Sequence, residues 1–275
     1  MSIIRNIKTL TGKLPLKAQT KAFEPIGWRN KKILKHQDDH SIKKVVLSGH
    51  TIWYRRPYEL MYTYKEIFQK GMYRFQSEEA QPIIFDCGSN IGLSVLYFKT
   101  LFPNSKVFAF EPDTENYNLL EKNVHLNNFK GVNLFKAAVW IEDTYVNFSA
   151  TSSESSHITD DHGQEENKVK AIRLSTQLNS HAKIDFLKLD IEGAEYVVLK
   201  DCRHLLSRIQ NIFFEYHGKD GDATKIVEIL SILAESGFSI YIEDSARNMK
   251  QPFINKGANT LYDVQLNLYC YRKEQ

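Results

Sequence analysis

Cysteine is scarce and unpaired in this 275-residue chain: Cys87, Cys202 and Cys270 stand far apart, with no Cys-x-x-Cys among them. That argues against a zinc ribbon and against a disulfide framework, and for a reducing compartment. Long apolar runs are missing as well. None reaches the ~18 residues of a membrane span, and the N-terminus MSIIRNIKTLTGKLPLK lacks the apolar core of a secretion signal, so the chain reads as unexported and cytoplasmic. No internal repeat or low-complexity tract stands out. What remains is a globular composition, 42% hydrophobic and 25% charged, enough for one large domain with an extension, because single cores stop growing near ~250–300 residues.

The charge is unevenly spread. Residues 1–56 hold 13 Lys/Arg against 3 Asp/Glu, which leaves 23 against 30 in the remainder. A basic front of this kind is either a solvated leader or a peripheral contact with an anionic surface. Nucleic acid is disfavoured, because the cations are not interleaved with aromatic side chains as in single-strand binders. The sequence divides into an N-terminal extension with a short hairpin and helix over 1–72 and a catalytic domain over 73–275. In the extension, Lys44–Leu47 and Thr51–Tyr54 flank a Ser48-Gly49-His50 turn, and Tyr58–Phe68 repeats apolar residues at helical spacing until Gly71.

From residue 83 short apolar strands alternate with amphipathic helices, the pattern of an α/β fold whose mostly parallel sheet is covered on both faces. Strands are expected at Ile83–Asp86, Lys106–Phe110, Val132–Val139, Ile184–Leu189 and Asn211–Phe214. Helices are expected at Ile91–Phe102, after Asp113, from Ala194 to Ser207, and from Asp222 to Gly237. Phe238–Ile242 and Val264–Arg272 follow with no helix between them, so they should pair antiparallel at one edge. Residues 143–176 interrupt the alternation with two strand-like runs, Tyr145–Phe148 and Val169–Leu174, joined by a polar loop over 151–167.

The first strand runs Ile83-Ile84-Phe85-Asp86-Cys87-Gly88-Ser89-Asn90-Ile91-Gly92 into a helix. Gly88 permits positive φ and close approach of a ligand, Gly92 permits close packing of the helix start, and Asn90 lies between them at the fresh N–H donors. The Asp-x-Gly-x-x-x-Gly spacing departs from the Gly-x-Gly-x-x-Gly of dinucleotide binders, and Asp86 would repel a pyrophosphate. An acid there suits a cation, and S-adenosylmethionine, a sulfonium with an α-amino group, is the cofactor it fits. Glu111, at the end of the second strand, is placed to accept both ribose hydroxyls, and Pro112 beside it offers an apolar face to adenine.

A second cluster follows the fourth strand. Lys188-Leu189-Asp190-Ile191-Glu192-Gly193-Ala194-Glu195 places Asp190 at a strand tip, where open α/β sheets hold their ligands. Glu192 and Glu195 also suit the first turn of a helix. One strand over, Glu215-Tyr216-His217 ends in an acid and a histidine. Asp190, Glu215 and His217 at one edge make a general-base site or a hard-metal site in which Asp190 and Glu215 bind Mg²⁺.

The strings IIFDCGSNIGLS, FEPD, the strand end Ala137-Ala138-Val139, FLKLDIEGAE and FFEYH resemble the FkbM-type S-adenosylmethionine-dependent methyltransferases, in unbroken order over residues 58–217. The resemblance implies a Rossmann-like class I methyltransferase fold: seven strands with the last reversed, helices on both faces, and cofactor contacts extending to Ala138 and Asp190. It also implies O-methylation of a hydroxyl on a natural product or glycan. Trp140-Ile141-Glu142-Asp143 departs from the family, which usually has a small residue and an acid there. For the chemistry His217 is expected as general base, since imidazole titrates near working pH, or else Asp190, with Glu192 and Glu215 orienting substrate, base or metal. Two alternatives stand beside this reading: a nicotinamide-dependent oxidoreductase and a non-catalytic Rossmann-like binding module. No Asn-Pro-Pro-Tyr-type motif follows the fourth strand, which favours a small or glycan hydroxyl over a nucleobase.

Overall fold

Apolar strand runs covered on both faces assemble into a seven-stranded sheet in the computed structural model, which describes residues 23–149, 157–159, 168–219, 221–246, 251, 253–254 and 262–273. The chain begins with α1 (Trp28–Lys35), the hairpin β1 (Lys43–Leu47) and β2 (His50–Tyr54), and α2 (Pro57–Tyr64), which continues as a π-helical turn over Lys65–Gln69. Then come β3 (Ile83–Cys87), α3 (Leu93–Leu101), β4 (Lys106–Phe110), α4 (Thr114–Leu126) and β5 (Val132–Phe135). A smaller sheet is built from β6 (Ala138–Trp140), β7 (Thr144–Ser149), β8 (His157–Thr159) and β9 (Lys168–Arg173), and α5 (Leu174–Asn179) follows it. The chain closes with β10 (Ile184–Leu189), α6 (Glu195–Cys202) running into a 3₁₀ turn, β11 (Ile209–Gly218), α7 (Ala223–Glu235), β12 (Ser239–Ala246) and β13 (Val264–Tyr271).

The sheet order is β12-β13-β11-β10-β3-β4-β5, parallel except for β13, which runs antiparallel to both neighbours. Parallel strands feed their carboxyl ends to one edge, and that edge carries every loop of the site. One expected strand proves to be two. Val132–Val139 divides at Lys136-Ala137, where the chain leaves the central sheet and Ala138 pairs with Ala171 of β9 instead. The expected Val169–Leu174 strand stops at Arg173, because Leu174 begins α5. The expected loop over 151–167 lies outside the described residues apart from β8, as do residues 1–22 of the basic front.

Two clusters of buried side chains cover the two faces of the sheet. One holds Leu187, Val198, Leu206, Phe214 and Leu233; the other packs Leu47, Ile52, Leu60, Tyr64 and Phe68 of the N-terminal segment against Ile84, Leu96 and Phe213. The hairpin is also tied to α4 by hydrogen bonds: Trp53 N donates to Asn123 Oδ1 (2.7 Å), while Asn123 Nδ2 donates to the Trp53 and Ile91 carbonyls (3.0 and 2.8 Å). Asn123 is fully buried, so its bonds fix hairpin, helix and glycine turn together. Among the described residues no helix is long and apolar enough to cross a membrane.

Candidate active site

The tips of β3, β4 and β10 open into one cleft, with Arg56 and Glu59 from the start of α2 closing one side. Its wall is apolar at Phe110, Pro112, Ala138, Val139 and Phe148 and polar at Asn90, Glu111, Asp190 and Glu192. Glu111 stands between these halves. Its Oε2 accepts the Asn90 N–H (2.8 Å) and its Oε1 the Asp113 N–H (2.9 Å), which leaves each oxygen further capacity to accept. Burial pushes the Glu111 carboxyl up to about 8, opposed by those two bonds.

Close packing governs the glycine turn. Gly88 has φ +86°, and a Cβ there would lie 1.9 Å from the Asp190 carbonyl oxygen, so only glycine lets β10 end beside it. Asn90 is left-handed, at φ +48°. The expected free N–H donors are spent within the protein. Gly88 and Ser89 donate to the Phe110 carbonyl, Asn90 to Glu111, Ile91 to the Asn90 side chain and Gly92 to the Ser89 carbonyl. Gly92 does not line the cleft: a Cβ there would meet Leu120 Cδ1 at 2.6 Å, so this glycine serves the packing of α3 on α4.

Asp86 likewise sits behind the cleft rather than in it. It is 0% exposed; its Oδ2 accepts from Ser94 Oγ (2.5 Å), and its Oδ1 makes no hydrogen bond among the described residues but faces Lys188 Nζ at 3.8 Å. The expected contact of Asp86 with a bound cation is therefore replaced by an internal one. Burial raises the Asp86 carboxyl, and Lys188 opposes the rise. Lys188 Nζ also meets Asp190 Oδ2 (3.0 Å) and donates to the Gly88 and Cys87 carbonyls (2.7 and 3.4 Å). Burial disfavours its charge, but Asp190, Tyr73 and Asp86 together hold it well above the ordinary lysine range.

At the next strand tip His217 is enclosed by acids. Its Nδ1 lies 3.0 Å from Glu195 Oε1, and its Nε2 lies 3.5 Å from Glu192 Oε2 and 3.9 Å from Glu215 Oε1. Burial opposes the imidazolium, but Glu195, then Glu192 and Glu215, outweigh it and push the ring up to about 10. The ring is buried, held at Nδ1 by Glu195 and set back from the residues that line the cleft, so the expected general base is not presented to that cleft. Glu195, the first residue of α6, is a hub: its carboxylate accepts the Ile191 and Gly193 N–H groups of the preceding turn as well as His217. This folds the turn back and leaves Glu192 at φ +57°. Burial pushes Glu192 up to about 9, and Oε2 of that carboxyl is buried with no hydrogen-bond partner among the described residues.

Glu215 turns away from the cleft, accepting from Ser245 Oγ at 2.7 Å, and burial followed by Asp190 raises it to about 7. The ligand atoms of Asp190, Glu192 and His217 lie within 4.8 Å of one another. Glu215, of the expected Asp190–Glu215 pair, is not one of the three.

Of the expected residues, Gly88, Asn90, Glu111, Pro112, Ala138, Asp190 and Glu192 line the cleft, while Asp86, Gly92, Glu215 and His217 do not. Arg56 and Glu59 were missed, since nothing in a helix start signals a cleft wall. Lys188 was missed too, although a lysine inside the apolar run Ile184–Leu189, in a strand with both faces covered, is itself a signal of a buried ion pair.

Residues 86–240 match the Methyltransferase FkbM domain. Methyltransferase sdnD of Sordaria araneosa is 30% identical over 219 residues, covering 66% of this chain and 83% of that protein. The 31-O-demethyl-FK506 methyltransferase FkbM of Streptomyces tacrolimicus is 23% identical over 232 residues, 71% of this chain and 88% of that protein. Among solved structures, M. jannaschii TYW2 in complex with S-adenosylmethionine aligns with TM-score 0.46 at 12% identity, over 86% of this chain and 89% of that one.

Proposed function

This chain belongs to the FkbM methyltransferase family, and from that membership we propose that it methylates a hydroxyl oxygen of a sugar, a glycan or another small natural product. It is a methyltransferase that uses S-adenosylmethionine, so the nicotinamide and non-catalytic alternatives fall away. The cleft suits that cofactor, with apolar side chains at one end for a base, the open oxygens of Glu111 for a diol, and charged side chains at the far end. Bound there, S-adenosylmethionine supplies an electrophilic methyl group on a sulfonium.

The protein's own residues then have two tasks. The first is to hold a hydroxyl oxygen in line with the methyl group, and orientation of this kind contributes up to ~7–11 kcal/mol. The second is to receive the hydroxyl proton, worth about 10²–10⁴-fold. Asp190 receives it. Its carboxylate lies on the cleft wall and is fixed by Lys188 at 3.0 Å; this is the observation that carries the reading. His217 and Glu195 act through Glu192 and the turn, as positioning residues. The Streptomyces tacrolimicus relative is named for a substrate that lacks an O-methyl group, which favours oxygen as the acceptor atom here.

The test is incubation with donor carrying a trideuterated methyl group and a panel of methyl glycosides and macrolide alcohols, with products read by NMR. Label in a methyl ether supports the proposal; label on nitrogen or carbon contradicts it.

A further inference from the structure

The donor carries more than adenosine and a sulfonium: its methionyl arm ends in an α-ammonium and an α-carboxylate. The glycine turn cannot serve that carboxylate, because the N–H groups of residues 88–92 are all bonded within the protein. Lys188 cannot serve it either, since its ammonium already has three oxygens around it, those of Gly88, Cys87 and Asp190. Among the described residues lining the cleft, one cation is left, Arg56.

The same elimination applies to the ammonium. Glu111 lies where the ribose belongs, Asp190 is paired with Lys188, and Glu192 is enclosed with His217. Glu59 remains, and its side chain is 17% exposed. Its Oε1 accepts from Asn90 Nδ2 at 2.7 Å, so the carboxylate is aimed at the turn, and its Oε2 lies 3.3 Å from Arg56 Nη1. Asn90 in turn links this pair to Glu111 through its backbone N–H, which sets the spacing between the ribose acid and the arm.

We propose that Arg56 and Glu59, at the start of α2 and outside the matched domain, form a zwitterion clamp for the amino-acid end of the donor, Arg56 receiving the carboxylate and Glu59 the ammonium. A guanidinium and a carboxylate side by side complement an α-amino acid, whose charges are of opposite sign and similarly spaced. The role first expected of Asp86, meeting the positive charge of the donor, then falls to Glu59. The proposal rests on the donor and not on the nature of the acceptor.

The test compares two ligands by calorimetry: S-adenosylhomocysteine, which has the amino-acid arm, and 5′-methylthioadenosine, which lacks it. Variants are Arg56→Ala, Arg56→Lys and Glu59→Gln, the last retaining an oxygen to accept from Asn90. Each of Arg56→Ala and Glu59→Gln should reduce the preference for the armed ligand about tenfold, with the affinity for methylthioadenosine unchanged and partial recovery in Arg56→Lys. An unchanged preference overturns the clamp, and so does equal weakening of both ligands, which would mean a structural role through Asn90. Binding of neither ligand by the wild-type protein overturns the donor assignment itself. An acceptor methylated on nitrogen would leave the clamp standing while removing the O-methyl reading.

Discussion

Two buried charge networks meet at Asp190, and they are built differently. Around Lys188 one cation is surrounded by Asp86, Asp190 and two carbonyl oxygens, so each of its donors is used. Around His217 the imidazole faces three acidic side chains, and Oε2 of Glu192 has no hydrogen bond among the described residues. The first network fixes the backbone of the strand tips; the second leaves a buried carboxyl oxygen facing the imidazole without a hydrogen bond among the described residues. The proposed base, Asp190, stands at the boundary, held by the closed network.

The contrast can be broken first at that boundary. Asp190→Asn should lower kcat by about 10²–10⁴-fold with much less effect on S-adenosylhomocysteine affinity, while His217→Gln should lower it less; an equal or larger loss in His217→Gln would return the base to the histidine. Next, Lys188→Met should cost about 3–5 kcal/mol in urea unfolding, because Asp86 would be left buried without its counter-charge. A variant as stable as wild type would show that the closed network is not needed for folding.

Glu111→Gln sharpens the comparison through pH. Its carboxyl is raised by burial to about 8, so its contribution to stability is fully present below the unfolded value near 4.5 and is lost as pH rises through about 8. The variant should therefore gain stability over wild type between pH 5 and 8.5 while binding S-adenosylhomocysteine about tenfold more weakly at pH 8.5. A stability difference that is flat with pH would contradict the burial argument. Smallest in effect, Gly92→Ala should destabilise by about 1–3 kcal/mol through its left-handed φ of +88° and through Leu120, with nucleoside affinity of the folded variant unchanged; a selective loss of affinity would restore Gly92 to the cofactor site.

The sheet was legible because its strands are apolar and its helices periodic, and the tips of β3, β4 and β10 carry residues that have no apolar purpose. What the sequence hid was direction. Asp86 and Glu111 both end or nearly end a strand, yet one faces the interior and the other the cleft, and strand parity alone does not say which face holds water. His217 reads as an ordinary imidazole until Glu195, a residue twenty-two positions earlier, is found against its Nδ1. The division of Val132–Val139 was hidden for a similar reason, since a continuous apolar run does not name its pairing partner.

The most direct measurement of the central claim is a crystal structure of the protein with S-adenosylhomocysteine. The ribose hydroxyls should lie on Glu111, the base against Pro112 and Ala138, and the thioether sulfur between Gly88 and Asp190. A nucleoside bound with its ribose away from Glu111, or its sulfur remote from Asp190, would contradict the account.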